Sequence, residues 1–93
     1  MFLSLGRLVA TAGVDARMES DPDFYEGVWA AIKRHTQGDW GDLCDEDRQA
    51  NDEALQVHTR LLSAYHVGAG QKKIYIITEW DRSATTVLFP DEY

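Results

Sequence analysis

From Arg60 to the C-terminus the hydrophobic period of the chain is two, and two turn signals cut the run into three pieces. "RLLSAYHV", "KIYIITEW" and "ATTVLF" are rich in β-branched and aromatic residues, which pack well on a pleated surface and poorly on a helix. "GAGQK" supplies glycine at hairpin length, and "DRS" is a tight turn. Pro90 has no backbone N–H to give a ladder and stops the last strand. "KIYIITEW" carries bulk on both faces, which places it centrally. A three-stranded meander is therefore the frame to which the rest of the chain must fit.

The N-terminal part supplies one more strand and the helices. Residues 2–11 alternate in the manner of a strand, and a helical turn is expected around Val14 to Met18. The opening "MFLSLGRLVATAGV" lacks a basic n-region, and Gly6 and Arg7 interrupt it too early for a signal or membrane segment. In "SDPDFYEGVWAAIKRHTQG" the helix signals converge: Ser20 or Asp21 as N-cap, Pro22 in the first turn, Asp23 and Glu26 near the positive end of the dipole, and Lys33, Arg34 and His35 near the negative end. Tyr25, Val28, Trp29 and Ile32 give the expected apolar stripe, and Gly38 closes the helix. In "GDWGDL" two glycines flank Trp40, whose ring should fold back on the core. A second helix is expected from Asp45 to His58, with Ala50, Ala54, Leu55 and Val57 as a thin apolar side. The expected fold is α+β: one domain over residues 1–93, an antiparallel sheet of about four strands, and two helices on one face.

Charge narrows the function. Sixteen acids against nine bases give a formal net charge of -7, which argues against direct binding to nucleic acid or an anionic membrane and for a basic partner. The single cysteine, Cys44, forms no internal disulfide, so a cytoplasmic setting in a host cell is expected, with a monomer as the state and no cofactor.

Chemistry-bearing residues are few and scattered. His35 and His58 sit near helix C-termini, where imidazole satisfies terminal carbonyls, and His66 sits in a strand beside Tyr65. Cys44 lies among acids, the reverse of what a nucleophilic thiolate needs. "DLCDEDRQANDE" has the acidity of a calcium loop without its spacing: counted from Asp45, position 6 is Ala50 instead of glycine and position 12 is Gln56 instead of glutamate. Glu79, Asp81 and Arg82 read as an ion pair that stabilises a turn. No catalytic residue, no metal site and no enzymatic activity are expected.

The acidic segment is the distinctive feature. Asp39, Asp42, Asp45, Glu46, Asp47, Asp52 and Glu53 face one base, Arg48, between residues 39 and 53, a local balance of -6 out of -7. Asp45, Glu46 and Asp47 suit the cap and first turn of a helix. The others have no lysine four residues downstream to support them. Wholly helical, the segment would span about 22 Å, or one carboxylate per roughly 3 Å, against about 3.4 Å per phosphate along a DNA strand. These seven residues are the candidate partner-binding site.

"RLVATAGV", "GDWGDL", "RLLSAY" and above all "KIYIITEWDRSATTVLFPDEY" resemble a family of small phage- and plasmid-borne proteins. Trp80 departs from the small residue that precedes the aspartate in that family. The chain also resembles anti-CRISPR inhibitors of type I Cascade, type I-C in particular. That resemblance implies a non-enzymatic DNA mimic whose acidic face occupies the surface where the host defence complex holds target DNA. The alternative is an anti-restriction or regulatory adaptor of mobile elements that binds another basic protein.

Overall fold

A computed structural model describes residues 3–93. The elements run β1 (Arg7–Ala10), α1 (Ala12–Ser20), α2 (Pro22–Thr36), α3 (Asp45–Val57), β2 (Leu61–Val67), β3 (Lys72–Thr78) and β4 (Ala84–Leu88), closed by a 3₁₀ turn at Pro90–Glu92. The fold is α+β as expected, with three helices instead of two. The expected helical turn around Val14 extends to a nine-residue helix, α1, because the Thr11 hydroxyl caps the Val14 N–H and Asp21 both ends α1 and starts α2. Asp21 accepts from the Phe24 N–H at 3.2 Å with Pro22 in the first turn, as the sequence indicates.

The sheet order is β1-β4-β3-β2, with β3 internal and antiparallel to both β2 and β4. The expectation of a wholly antiparallel sheet is corrected at β1, which pairs parallel to β4, Arg7 opposite Ala84 and Ala10 opposite Val87. The helical layer joins β1 to β2 at the opposite border, a connection long enough to return the chain to the same end of the sheet, and the two strands run in one direction. Since β2 and β4 both oppose β3, β1 runs with β4. The strand expected over residues 2–11 is confined to Arg7–Ala10, and residue 2 lies outside the described residues.

Two apolar clusters hold the layers. Val14 of α1 and Phe24, Val28, Ala31 and Ile32 of α2 pack on Tyr65, Val67, Ile74, Ile76 and Val87 of the sheet. Trp40, Ala54 and Leu61 form the second cluster beside α3, with Trp40 4% exposed, so its ring does fold back on the core. The buried stripe of α2 differs from the expected one. Phe24, Val28, Ala31, Ile32 and His35 face the sheet, while Tyr25 and Trp29 stay 47% and 45% exposed. Both stripes have helical spacing, and the one ending in His35 is chosen because the imidazole meets hydroxyls on the sheet.

That contact is a directed chain. His35 Nδ1 lies 2.6 Å from Ser63 Oγ and Nε2 2.8 Å from Thr78 Oγ1, Thr78 lies 2.7 Å from Thr85 Oγ1, and Thr85 donates to the Leu5 carbonyl at 2.8 Å. Thr85 gives its only proton to Leu5, so Thr78 gives its own to Thr85, and the proton between His35 and Thr78 must come from Nε2. Nδ1 is then the acceptor for the Ser63 hydroxyl. His35 is fully buried, and burial first, with the Arg82 charge second, pulls its pKa down to about 4. It serves the core and not the helix-end carbonyls assigned to it from the sequence.

Candidate functional site

The chain approaches the acidic segment through two anchored turns. Gly38, at φ 79°, ends the turn after α2. The next residues run beside the outer edge of β2: Ala64 N–H donates to the Trp40 carbonyl at 3.2 Å, and Asp42 N–H donates to the Ala64 carbonyl at 2.7 Å. Gly41 is required there, since its φ is 75° and a Cβ would stand 2.0 Å from the Ala64 oxygen. Beyond it, buried Asn51 of α3 continues the same edge with its side chain. Its amide donates to the Leu62 carbonyl at 2.7 Å and its carbonyl accepts from the Leu62 N–H at 3.2 Å. α3 is thus clamped along the edge of β2 by a carboxamide that copies a strand.

Arg48 and Arg82 hold the two ends of this clamp. Arg48 donates to the carbonyls of Leu43 and Gly41 at 3.0 and 2.8 Å. Arg82 donates to the carbonyls of Thr59 and Glu79, and reaches Ala54 of α3 at 2.9 Å. The ion pair expected within Glu79, Asp81 and Arg82 is therefore not the role of Arg82; its guanidinium satisfies main-chain oxygens at the end of α3. Asp81 instead accepts from the Ser83 N–H at 3.0 Å, and hydrogen bonds from Ser83 hold its carboxyl below the usual range.

The seven predicted carboxylates separate into two groups. Asp39, Asp42 and Asp52 are engaged. Arg34 donates to Asp39 through Nε at 2.7 Å and Nη2 at 3.1 Å, and this fork holds the carboxyl below its ordinary range. Asp42 sits 2.7 Å from Nδ1 of His66, which lies in β2, in a strand as the sequence indicates, with its side chain 41% exposed. Asp52 accepts from the Trp40 indole at 2.9 Å, which seats the ring without neutralising the carboxylate.

Asp45, Glu46, Asp47 and Glu53 make no ion pair among the described residues, and the last turn of α3 contains no base. At 3.6 residues per turn, positions 45, 46, 52 and 53 fall within one arc of about 120°, opposite Asn51 and Ala54, so they project outward together. Asp47 turns toward the open face of the sheet, where it lines a recess of about 310 Å³ with Asp42, Lys73, Tyr75 and Tyr93. The helix cap is Cys44, without a side-chain hydrogen bond, so all three acids at 45–47 lie within the first turn.

Reading for a lysine four residues downstream overlooked Arg34, which lies five residues before Asp39 across the turn at Gln37 and Gly38. It could not find the Trp40 bond to Asp52, which depends on how the turn folds. Among the described residues no group of three or more His, Cys, Asp and Glu side chains is placed to hold a metal ion, and no helix is long and apolar enough to cross a membrane. Comparison with family models, curated proteins and solved structures returns no match.

Proposed function

We propose that the protein is an acidic DNA mimic that binds a basic, nucleic-acid-binding surface of a host defence complex and so blocks its access to target DNA. Type I Cascade is the target that the resemblance to anti-CRISPR inhibitors implies. The observation that carries the reading is the outward arc of Asp45, Glu46, Asp52 and Glu53 on α3, none of which makes an ion pair among the described residues. Such an arrangement costs self-repulsion in the free protein, and lysine or arginine side chains of a partner would relieve it through charge-assisted hydrogen bonds. Asp39 is removed from the contact set by its Arg34 fork, and Asp42, which lies 2.7 Å from His66 Nδ1, contributes at the margin.

The arc sits on a rigid mount. Asn51, Ala54 and the Trp40–Asp52 bond tie the inner side of α3 to the sheet, so little conformational entropy is lost when its outer side is engaged. The test is a competition titration of purified Cascade with a target duplex, repeated across salt concentrations. Binding of the protein should displace duplex and weaken steeply with salt, as release of counterions requires. The variant Asp45→Asn, Glu46→Gln, Asp47→Asn, Glu53→Gln removes four charges and keeps side-chain size. Unchanged competition by this variant, or affinity indifferent to salt, would refute the reading.

A further inference from the structure

The border of the sheet at β1 is open where the border at β2 is sealed. In the parallel ladder Arg7 and Thr11 donate to the Ser83 and Val87 carbonyls of the β4 side. The alternate residues Leu8 and Ala10 therefore turn both backbone groups outward, and all four residues of β1 are exposed. Ala10 pairs with Val87, which packs under the helices, so the side chains of Leu8 and Ala10 lie on the helix side of the sheet. There they line a groove of about 330 Å³ with Met18, Tyr25 and Trp29, in which Asp15 is the one charged lining residue among the described residues. Tyr25 and Trp29 meet edge to face at 6.3 Å with about half of each ring in water.

The charge around this groove selects its occupant. From β1 through α1 into the first turns of α2, residues 7–26 hold Asp15, Glu19, Asp21, Asp23 and Glu26 against Arg7 and Arg17, five acids to two bases. Arg17 is already engaged, paired with Asp21 at 3.2 Å and lying over the Phe24 ring. Arg7 alternates with Leu8 and so projects on the other side of the sheet. Exposed Glu19 follows Asp15 by one turn, which makes the α1 side of the groove acidic, while Lys33, one turn past Trp29, does not line it. A second copy would bring the same acids against these, and an anionic surface would be repelled in the same way.

We infer that the β1 border binds an extended, basic segment of a partner protein by strand addition, its apolar side chains entering the groove and its lysines or arginines meeting Asp15 and Glu19. Leu8 and Ala10 offer two N–H groups and two carbonyls to the added strand. The residues opposite them point to the helix side whichever way that strand runs, so the recognised pattern is two apolar residues separated by one, flanked by bases. Tyr25 and Trp29 give those apolar residues a flat, half-exposed surface to cover. The acidic helix stands at the far border, beyond β2, so this site is independent of the reading given to α3.

The probe is the peptide acetyl-KRVTVTVRK-amide, added to the full chain up to about 1 mM and followed by NMR. In the free protein the amide protons of Leu8 and Ala10 should exchange readily with solvent, and bound peptide should slow both by about tenfold or more. Trp29→Ala should raise the dissociation constant by about tenfold. Asp15→Asn with Glu19→Gln should raise it several-fold at low salt, and acetyl-EEVTVTVEE-amide should not bind. These substitutions fall on exposed side chains, and circular dichroism should show both variants folded. The variant Asp45→Asn, Glu46→Gln, Asp47→Asn, Glu53→Gln should bind the peptide as the parent does; loss of binding in it would move the peptide to the acidic helix and overturn the inference. Unchanged exchange at Leu8 and Ala10 with about 1 mM peptide would also overturn it, as would a peptide-free dimer in which both amides are protected, since the border would then belong to a second copy.

Discussion

Acidification should destabilise this protein through His35 before Asp21, Asp39 and Asp81 respond. The imidazole is buried between Ser63 and Thr78, and its pKa is about 4 where a free histidine has 6.5. The unfolded chain therefore binds a proton that the folded chain refuses. Stability is complete above the unfolded value, falls as the pH drops below 6.5, and stops falling on this account near 4. The gap corresponds to roughly 3 kcal/mol in total, of which about 2 kcal/mol is lost by about pH 5. For a domain of this size that is a large share of a total of roughly 5 to 14 kcal/mol. Asp21, Asp39 and Asp81 are held below their ordinary 3.8. Their contributions are present above that value and lost only below it, which leaves the window above about pH 5 to histidine. Urea unfolding of the parent and His35→Gln, followed by circular dichroism at several pH values, isolates the effect. The parent should lose about 2 kcal/mol more than the variant between about pH 7 and pH 5. Parallel pH profiles would refute the reasoning, and so would an NMR titration of folded His35 with a midpoint near 6.5, a measurement that holds even if the variant folds poorly.

Three further outcomes follow from the mount of α3. Asn51→Ala should cost about 2 to 4 kcal/mol in urea unfolding, because it strands the Leu62 N–H and carbonyl at the sheet edge as well as opening a small space. Gly41→Ala should cost several kcal/mol or prevent folding, since backbone strain at φ 75° and the clash with the Ala64 oxygen act together; a melting temperature near that of the parent would contradict the edge geometry. Asp39→Asn should change stability by less than about 1 kcal/mol, the usual worth of an ion pair this open to water, and should leave partner binding intact if the contact surface is the outer side of α3.

Local signals carried most of the fold. Asp21 and Pro22 mark the start of α2, the doubly bulky 73–80 run marks an internal strand, and the turns at 68–71 and 81–83 set the meander. What escaped the sequence is non-local. Alternation identifies β1 but holds no information on its direction, which its pairing with β4, at the other end of the chain, reveals only in the folded sheet. Two stripes of α2 have helical spacing, and apolar mass favours the one with Tyr25 and Trp29; partners 28 and 43 residues away choose the one with His35. The candidate site was legible as a density of charge, and four of its acids do stand clear on α3. Its division into paired and unpaired carboxylates depends on Arg34 and Trp40, which only the folded turn brings near.

The carboxamide of Asn51 and the strand-like run at Trp40 to Asp42 occupy the hydrogen-bonding positions of Leu62 and Ala64 on the outer side of β2. A sheet with two open borders can recruit neighbours on both sides; here the positions of Leu62 and Ala64 on the β2 border are already taken by the chain itself. The side chain that holds the acidic helix in place thus also keeps a foreign strand from the Leu62 position of that border.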